Sequence, residues 1–326
     1  MVKVLSEIWR KPARLLPRLT GTLRKGKSAD KEVMLPPIAA SSARQGYLSA
    51  VLIAKNEASY LVEWLEFHRL VGVERVYIYD NGSTDETVAV LRSYIRAGFV
   101  DYVLWANFDQ NAVPQRQAYA HALCNFGPRW RWMAFIDVDE FLFPLKSDSL
   151  RTALREYEDL PAVAVHWHMF GCSGHKRRPS GLVIENYTQR AAIPSPAGAE
   201  VLLKWKCIVD PKKVRGVVSP HVFLLDDGRK GAYDEDRRWI LKTQHAAGAS
   251  KILRLNHYYT KSEEELAAKI AKGSVGRLSI QGVNPKSFAI LRAEACEIAT
   301  VKDEAILRFV PPLRKGKSAA FEVSTT

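Results

Sequence analysis

From Tyr47 onward, apolar runs and polar turns alternate along the chain at a regular interval. The stretch YLSAVLIAKNE predicts a strand ending at a polar turn, and EASYLVEWLEFHRLVGV predicts a helix, with Leu61, Leu65 and Leu70 at helical spacing. The same unit then repeats. RVYIYDNGSTDET is a strand running into a turn, TVAVLRSYIRAG a helix closed by Gly98, and VDYVLWANF a third strand. AVPQRQAYAHALCNFG is a helix closed by Gly127, and RWMAFIDVDEFLFP a fourth strand. Strands alternating with crossover helices predict a parallel sheet, so the fold class is α/β with a Rossmann-like N-terminal half.

Beyond Pro144 the pattern changes. One helix, SLRTALREYEDL, precedes five separated runs, AVAVHWHMF, GLVIENYTQRAA, VLLKWKCIVD, VRGVVSPHVFLL and KILRLNHYYT, each with strand character. They predict a mixed or antiparallel second half. SEEELAAKIAKG then reads as a helix, with Ser262 and Glu265 at capping-box spacing, and a further helix is expected around Ser287–Phe309. No hinge divides the chain. Residues 46–310 are therefore expected to form a single domain, flanked by a tail over 1–45 and another over 311–326.

Composition narrows the class. A chain of 326 residues with 47% hydrophobic content is long enough for a real core. The net charge of +13 is concentrated at the ends: Lys3, Arg10, Lys11, Arg14, Arg18, Arg24, Lys25 and Lys27 stand against Glu7 alone. A nucleic-acid reader more often carries that charge on its folded surface, so no nucleic-acid partner is expected, and an anionic membrane surface suits basic tails at least as well. The N-terminal stretch is either a flexible arm or a short basic amphipathic face built on Ile8, Trp9, Leu15 and Leu19, with Pro12 and Pro17 opposing one continuous helix. The heptapeptide LRKGKSA occurs in both tails and carries no assigned role. Cys124, Cys172, Cys207 and Cys296 form no CxxC pair, and no run approaches the roughly 18 apolar residues of a spanning helix. The expected location is cytoplasmic, soluble or peripheral at the inner face of a membrane.

Candidate chemistry gathers where strands end. Open parallel sheets bind ligands beyond the carboxyl ends of their strands, and three of those ends are polar here: Lys55-Asn56-Glu57, Asp80 to Asp85, and Asp137-Val138-Asp139. With a strand's period of two, Asp137 and Asp139 share a face and Val138 takes the other. Two adjacent carboxylates either end a strand in solvent or hold a hard cation, Mn²⁺ or Mg²⁺, against a diphosphate. DNGSTDET is likewise either a capped turn or a place where Asp80 accepts hydrogen bonds from a nucleoside base or ribose.

These blocks, VLIAKNEASYLVEWLEFHRLVGVERVYIYDNGSTDET, WMAFIDVDEFLFP, HWHMFGCSGHKRRPSGLVIENYTQRA, KWKCIVDPKKVRGVVSPHVFLL and RLNHYYTKSEEELAAKIAKG, resemble in order those of the GT-A glycosyltransferases, in particular glycosyltransferase family 92 and its family 2-like bacterial relatives. The resemblance spans about Tyr47 to Gly273. It implies a GT-A fold with a mixed sheet, and a hexosyltransferase that moves a sugar, with inversion, from a nucleotide diphosphate sugar, UDP-linked, to a hydroxyl of a glycan or lipid-linked acceptor, in surface polysaccharide synthesis. It also implies that Asp137, Asp139 and His257 hold a divalent metal, that Asn56, Glu57, Asp80 and Asp137 meet the nucleotide, and that Lys261 belongs to the site.

For the catalytic base Glu185 ranks first, with Glu140 and Asp227 behind it, while Asp139 serves catalysis through the metal on the departing diphosphate. His168, which shares a strand face with His166, and His221 are further substrate-site candidates. Trp167 and Tyr258 either stack on a sugar or pack the core, and His68 is expected to pack or lie on the surface. Lys176, Arg177 and Arg178 form a solvated turn or contact an anionic acceptor. The rival readings are a non-catalytic nucleotide- or glycan-binding module on the same fold and a nucleotidyltransferase; for the latter no glycine-rich phosphate loop follows the first strand.

Overall fold

The computed structural model describes residues 32–36, 43–106, 113–193, 204–241, 250–272 and 299–315. Most of both expected tails, and residues 287–298 of the expected last helix, lie outside them. The first strand, Val33–Met34 (β1), already pairs antiparallel with a later strand, so the folded unit reaches into the stretch expected to be tail.

The parallel half forms as the sequence pattern demands. Gly46–Ala54 (β2), Arg75–Asp80 (β3), Val100–Leu104 (β4) and Trp130–Phe135 (β5) lie parallel in the order β5-β2-β3-β4. Ala58–Leu70 (α1), Thr87–Arg96 (α2) and Pro114–Asn125 (α3) are the crossovers. Leu48, Ala50 and Leu52 of β2 pack into one apolar cluster and Val51 and Ile53 into another, so both faces of the sheet are covered and the strand reads as a continuous apolar run.

The fourth predicted strand is in fact two. β5 stops at Phe135, residues 136–139 turn, and Glu140–Pro144 (β6) leaves in a new direction. Three contacts fold the turn. The Glu140 carboxylate accepts the Asp137 N–H at 2.8 Å, and the buried Trp64 indole donates to the carbonyls of Asp137 and Glu140 at 3.1 and 2.8 Å. Asp137 and Asp139 therefore sit on a turn, and the expectation that a strand's alternation aligns them is corrected.

In the second half, Leu150–Leu154 (α4) precedes Ala162–Met169 (β7). GLVIENYTQRAA is a one-turn helix, Val183–Asn186 (α5), followed by Gln189–Arg190 (β8), where one strand was expected. The reason is tertiary: Glu63 of α1, buried, accepts the Val183 and Ile184 N–H groups at 2.8 and 3.1 Å and caps the turn. Trp205–Val209 (β9) runs antiparallel to both β5 and β7, which makes the sheet mixed. Val214–Ser219 (β10) and Val222–Leu225 (β11) form a hairpin with β1 on its edge. Ala232–Tyr233 (β12) and Trp239–Ile240 (β13) extend the main sheet.

Leu253–His257 (β14) pairs with β7 in parallel and with β6 antiparallel, bringing His257 opposite Glu140. Glu263–Lys272 (α6) follows with the predicted capping box: the Ser262 hydroxyl accepts the Glu265 N–H at 3.2 Å, and the Glu265 carboxylate accepts the Ser262 N–H at 3.1 Å. Val301–Lys302 (β15) pairs with β8. The expected α/β architecture, a mixed sheet with a Rossmann-like N-terminal half, is present. Among the described residues no helix is long and apolar enough to cross a membrane.

Candidate active site

Two strand ends are tied together before any ligand arrives. Asn56, with φ of +54°, lies in the left-handed region that asparagine tolerates better than most residues. Its N–H donates to the Ser83 hydroxyl at 2.9 Å and its side-chain oxygen accepts the Thr84 N–H at 2.7 Å. Asp80 is buried, and both its oxygens are engaged: one accepts the Ser83 N–H and hydroxyl at 2.9 and 2.6 Å, the other the Tyr102 hydroxyl at 2.8 Å. Burial, followed by that bond to Asp80, pushes the Tyr102 phenol up to about 12. Asp80 thus holds the turn that faces the site.

Asp137, its side chain 33% exposed, is tied to two neighbours. Its oxygens accept Gln115 Nε2 at 3.0 Å and Lys206 Nζ at 2.7 Å. Lys206 stands on β9 with its side chain 2% exposed, and Glu140 lies 3.8 Å from the same ammonium. Burial alone would push Lys206 down; Asp137 and Glu140 outweigh it and raise it. Glu140 goes the other way. Burial, assisted by Asp137 and Asp139 and opposed by Lys206, holds its carboxyl well above the usual range, and its Oε1 has no hydrogen-bond partner.

Asp139 meets a different set. Lys269 of α6 donates to its Oδ2 at 2.6 Å, and His257 Nε2 lies 3.5 Å from its Oδ1. Burial would raise this carboxyl, but Lys269 and His257 hold it well below the usual range. Burial also lowers His257, against the pull of Asp139. A cavity of about 220 Å³ opens beside Asp139, lined by Asn56, Glu57, Tyr60, Lys261 and Lys269 among others. Lys261 places its Nζ 4.2 Å over the Tyr60 ring, and Lys269 places its own 3.8 Å over Tyr259. The structure therefore brings Asn56, Glu57, Asp139, His257 and Lys261 together.

Next to them lies an aromatic edge. The Trp167 ring sits 4.3 Å from His257 and 5.3 Å from His221 between centroids. His221 Nδ1 is 2.7 Å from the Trp205 carbonyl, and burial, then Lys206, pushes its imidazole down to about 4. With Trp167 turned to this side, the period of two sends His168 to the other, where its Nε2 meets the Ser250 hydroxyl at 2.8 Å. His168 is thus removed from the cavity, because the pairing of β7 with β14 gives the site face to Trp167.

Glu185 does not join this group either. Both its oxygens lie 2.7 Å from Arg314, and it does not line the cavity. Asp227 is spent on Arg229, 2.7 Å away, in an exposed turn. His68 packs: its Nδ1–H donates to the Trp64 carbonyl at 2.8 Å, its Nε2 accepts the Leu142 N–H at 3.2 Å, and burial pushes it down to about 3. Tyr258 is core, its ring tilted against Phe170 with centroids 4.8 Å apart. Arg178 packs over the Tyr60 ring at 4.9 Å. Sequence reading missed Lys206, Lys269 and Gln115; only Lys206 leaves a trace, as a charge inside the apolar run WKCIV.

Of the three expected metal ligands, two converge. Among the described residues no group of three His, Cys, Asp or Glu side chains is arranged to hold an ion. Asp137 is held away by Gln115 and Lys206, but Asp139 Oδ1 and His257 Nε2, 3.5 Å apart, can share one. Mg²⁺ and Mn²⁺ commonly take one or two protein ligands and complete their shell with water and phosphate oxygens, so this donor pair fits such an ion.

Comparison with known proteins agrees with the residues. A family model described as Glycosyltransferase family 92 matches residues 49–269. A Glycosyltransferase family 92 protein of Ricinus communis is 31% identical over 184 residues, covering 53% of this chain and 31% of the relative. One of Oryza sativa subsp. japonica is 31% identical over 182 residues, covering 54% and 29%. The chain thus spans about a third of the length of these curated relatives. The solved structure of S. aureus TarS 1-349 aligns with 76% of this chain and 70% of its own at 14% identity, with a TM-score of 0.36.

Proposed function

The chain belongs to glycosyltransferase family 92, and from that premise we propose that it transfers a sugar, with inversion, from a nucleotide diphosphate sugar, UDP-linked, to a hydroxyl of a glycan or lipid-linked acceptor. The observation that carries this reading is the cavity beside Asp139. There a buried carboxylate, an imidazole and two ammonium groups come together beyond the carboxyl ends of β2 and β5.

An inverting displacement needs positive charge at the departing diphosphate and a proton acceptor at the attacking hydroxyl. Lys261 and Lys269 supply the first from the protein itself. Asp139 and His257 would hold Mn²⁺ or Mg²⁺, which when bound supplies Lewis acidity to the diphosphate. Asn56 and Glu57, which border the cavity, are assigned to the nucleotide, and Asp80 and Asp137 position the turns that carry it. The acceptor is assigned to the Trp167 edge. His221 is the candidate proton acceptor there in place of Glu185: its Nδ1 is committed to the Trp205 carbonyl, which leaves Nε2 for the acceptor hydroxyl. The basic residues between Lys3 and Lys27 are assigned to an anionic membrane surface, consistent with a role in surface polysaccharide synthesis at the cytoplasmic face.

The test is release of nucleoside diphosphate by the full chain from a panel of UDP- and GDP-sugars, with and without Mn²⁺. Turnover with one donor, lost in Asp139→Asn, is the expected result. No turnover of any donor, accompanied by no nucleotide binding, would return the chain to the reading as a non-catalytic glycan-binding module.

A further inference from the structure

Three lysines approach the carboxylates of this site, and one of them has no carboxylate of its own. Lys206 meets Asp137 at 2.7 Å and Lys269 meets Asp139 at 2.6 Å. Lys261 is 6% exposed, yet among the described residues no acid lies within ion-pair distance of its Nζ. The neighbouring acids are already engaged. Asp139 is taken by Lys269 and His257, and Glu265 by the hydroxyls of Tyr60 at 2.8 Å, Tyr187 at 2.5 Å and Ser262 at 2.7 Å. Asp139, Glu57 and Glu265 act on Lys261 only from longer range.

The backbone adds a second observation. Lys261 has φ of +51°, a left-handed conformation that costs free energy for any residue with a Cβ, and which persists only where the surroundings enforce it. That conformation accompanies a side chain lying over Tyr60 at the wall of the cavity. A buried cation without a counter-ion at contact distance is costly. The cavity supplies the explanation. At about 220 Å³ it is smaller than the roughly 300–1,000 Å³ of pockets that enclose a whole drug-sized ligand, so it suits the anionic middle of a nucleotide sugar.

We propose that Lys261 is a direct diphosphate-binding group whose counter-ion arrives with the ligand, giving the site an affinity for pyrophosphate-type anions that needs no metal. This rests on the donor-site reading of the cavity and adds to it a metal-independent component. Lys269 belongs to the same arrangement, since it can keep Asp139 or turn to the anion, whereas among the described residues Lys261 has no acid at ion-pair distance to keep.

The experiment is calorimetric titration of the full chain with inorganic pyrophosphate in the presence of a chelator, beside a titration with UDP and Mn²⁺. Wild type is expected to bind pyrophosphate, Lys261→Met to bind it about tenfold more weakly or worse, as loss of a charge-assisted contact does, and Lys261→Arg to stay within a few-fold. Without ligand, Lys261→Met is expected to unfold no earlier than wild type, because it removes an unpaired buried charge; a merely structural lysine would give the reverse. Equal pyrophosphate binding by Lys261→Met and wild type overturns the proposal. So does a wild type that binds UDP with Mn²⁺ but no pyrophosphate under chelator, and in that case the donor-site reading survives. If neither ligand binds, both fall together.

Discussion

Asp137 and Asp139 stand two residues apart and each holds a lysine, but the two lysines belong to different kinds of place. Lys206 projects from a central strand, is 2% exposed, and is closed in with Glu140 and Gln115. Lys269 projects from α6, is 33% exposed, and shares the wall of a cavity with Lys261. The first pair is a fixture of the fold. The second is an ion pair at the edge of an opening, where a ligand can compete for either partner. A DxD motif therefore contains one carboxylate that builds the site and one that works in it.

The largest expected effect breaks the first place. Lys206→Met leaves the part-exposed Asp137 and the fully buried Glu140 without their cation, and for a pair buried on both sides, as Lys206 and Glu140 are, removing one partner costs about 3–5 kcal/mol. Urea unfolding should show that loss; a change below about 1 kcal/mol would mean that the cluster is not built as an ion pair. Asp139→Asn breaks the second. Its main effect should fall on turnover, by about 10²-fold or more, as for a group that stabilises charge in the transition state, with a smaller loss of stability than Lys206→Met. Equal stability losses in the two variants would erase the distinction.

Titration sharpens the contrast further, because Asp139 and Glu140 are shifted in opposite directions. The depressed Asp139 contributes stability that is present above its unfolded pKa of about 3.9 and lost as pH falls towards the folded value. Glu140, raised, binds its proton more tightly in the folded chain, so stability declines as pH climbs from about 4.3 towards its folded value. Stability measured against pH should lose the rising limb in Asp139→Asn and the falling limb in Glu140→Gln. The smallest effect is expected at a residue outside the cavity lining. Glu185→Gln removes an exposed ion pair with Arg314 and should shift stability by no more than about 0.5 kcal/mol, with turnover unchanged. A large loss of turnover there would restore Glu185 as the base.

How much of this was legible in the sequence follows the range of the forces involved. The parallel half was readable because β2, β3 and β5 are continuous apolar runs and α1 repeats leucines at helical spacing, all local signals. The capping box of Ser262 and Glu265 was readable for the same reason. The break after Phe135 was not, since it depends on Trp64, some seventy residues away, holding two carbonyls of the turn. VIEN carries β-branched residues and reads as strand, until Glu63 caps it from another helix. The choice between Trp167 and His168 depends on how β7 pairs with β14, and alternation alone does not say which parity faces the site. Lys269 looks like an ordinary solvated lysine, and Lys206 stands out only as a charge inside an apolar run, because a sequence does not show which charges its fold will bury opposite one another.

The central claim is that the cavity beside Asp139 receives the diphosphate of a nucleotide, and thermal unfolding with UDP tests it most directly. UDP held at about 100 times its dissociation constant should stabilise the wild type by about 2.7 kcal/mol. The shift should be larger with Mn²⁺ than with a chelator, and Asp139→Asn should lose the metal-dependent part. No shift by UDP under either condition, or an undiminished metal-dependent shift in Asp139→Asn, would contradict the account.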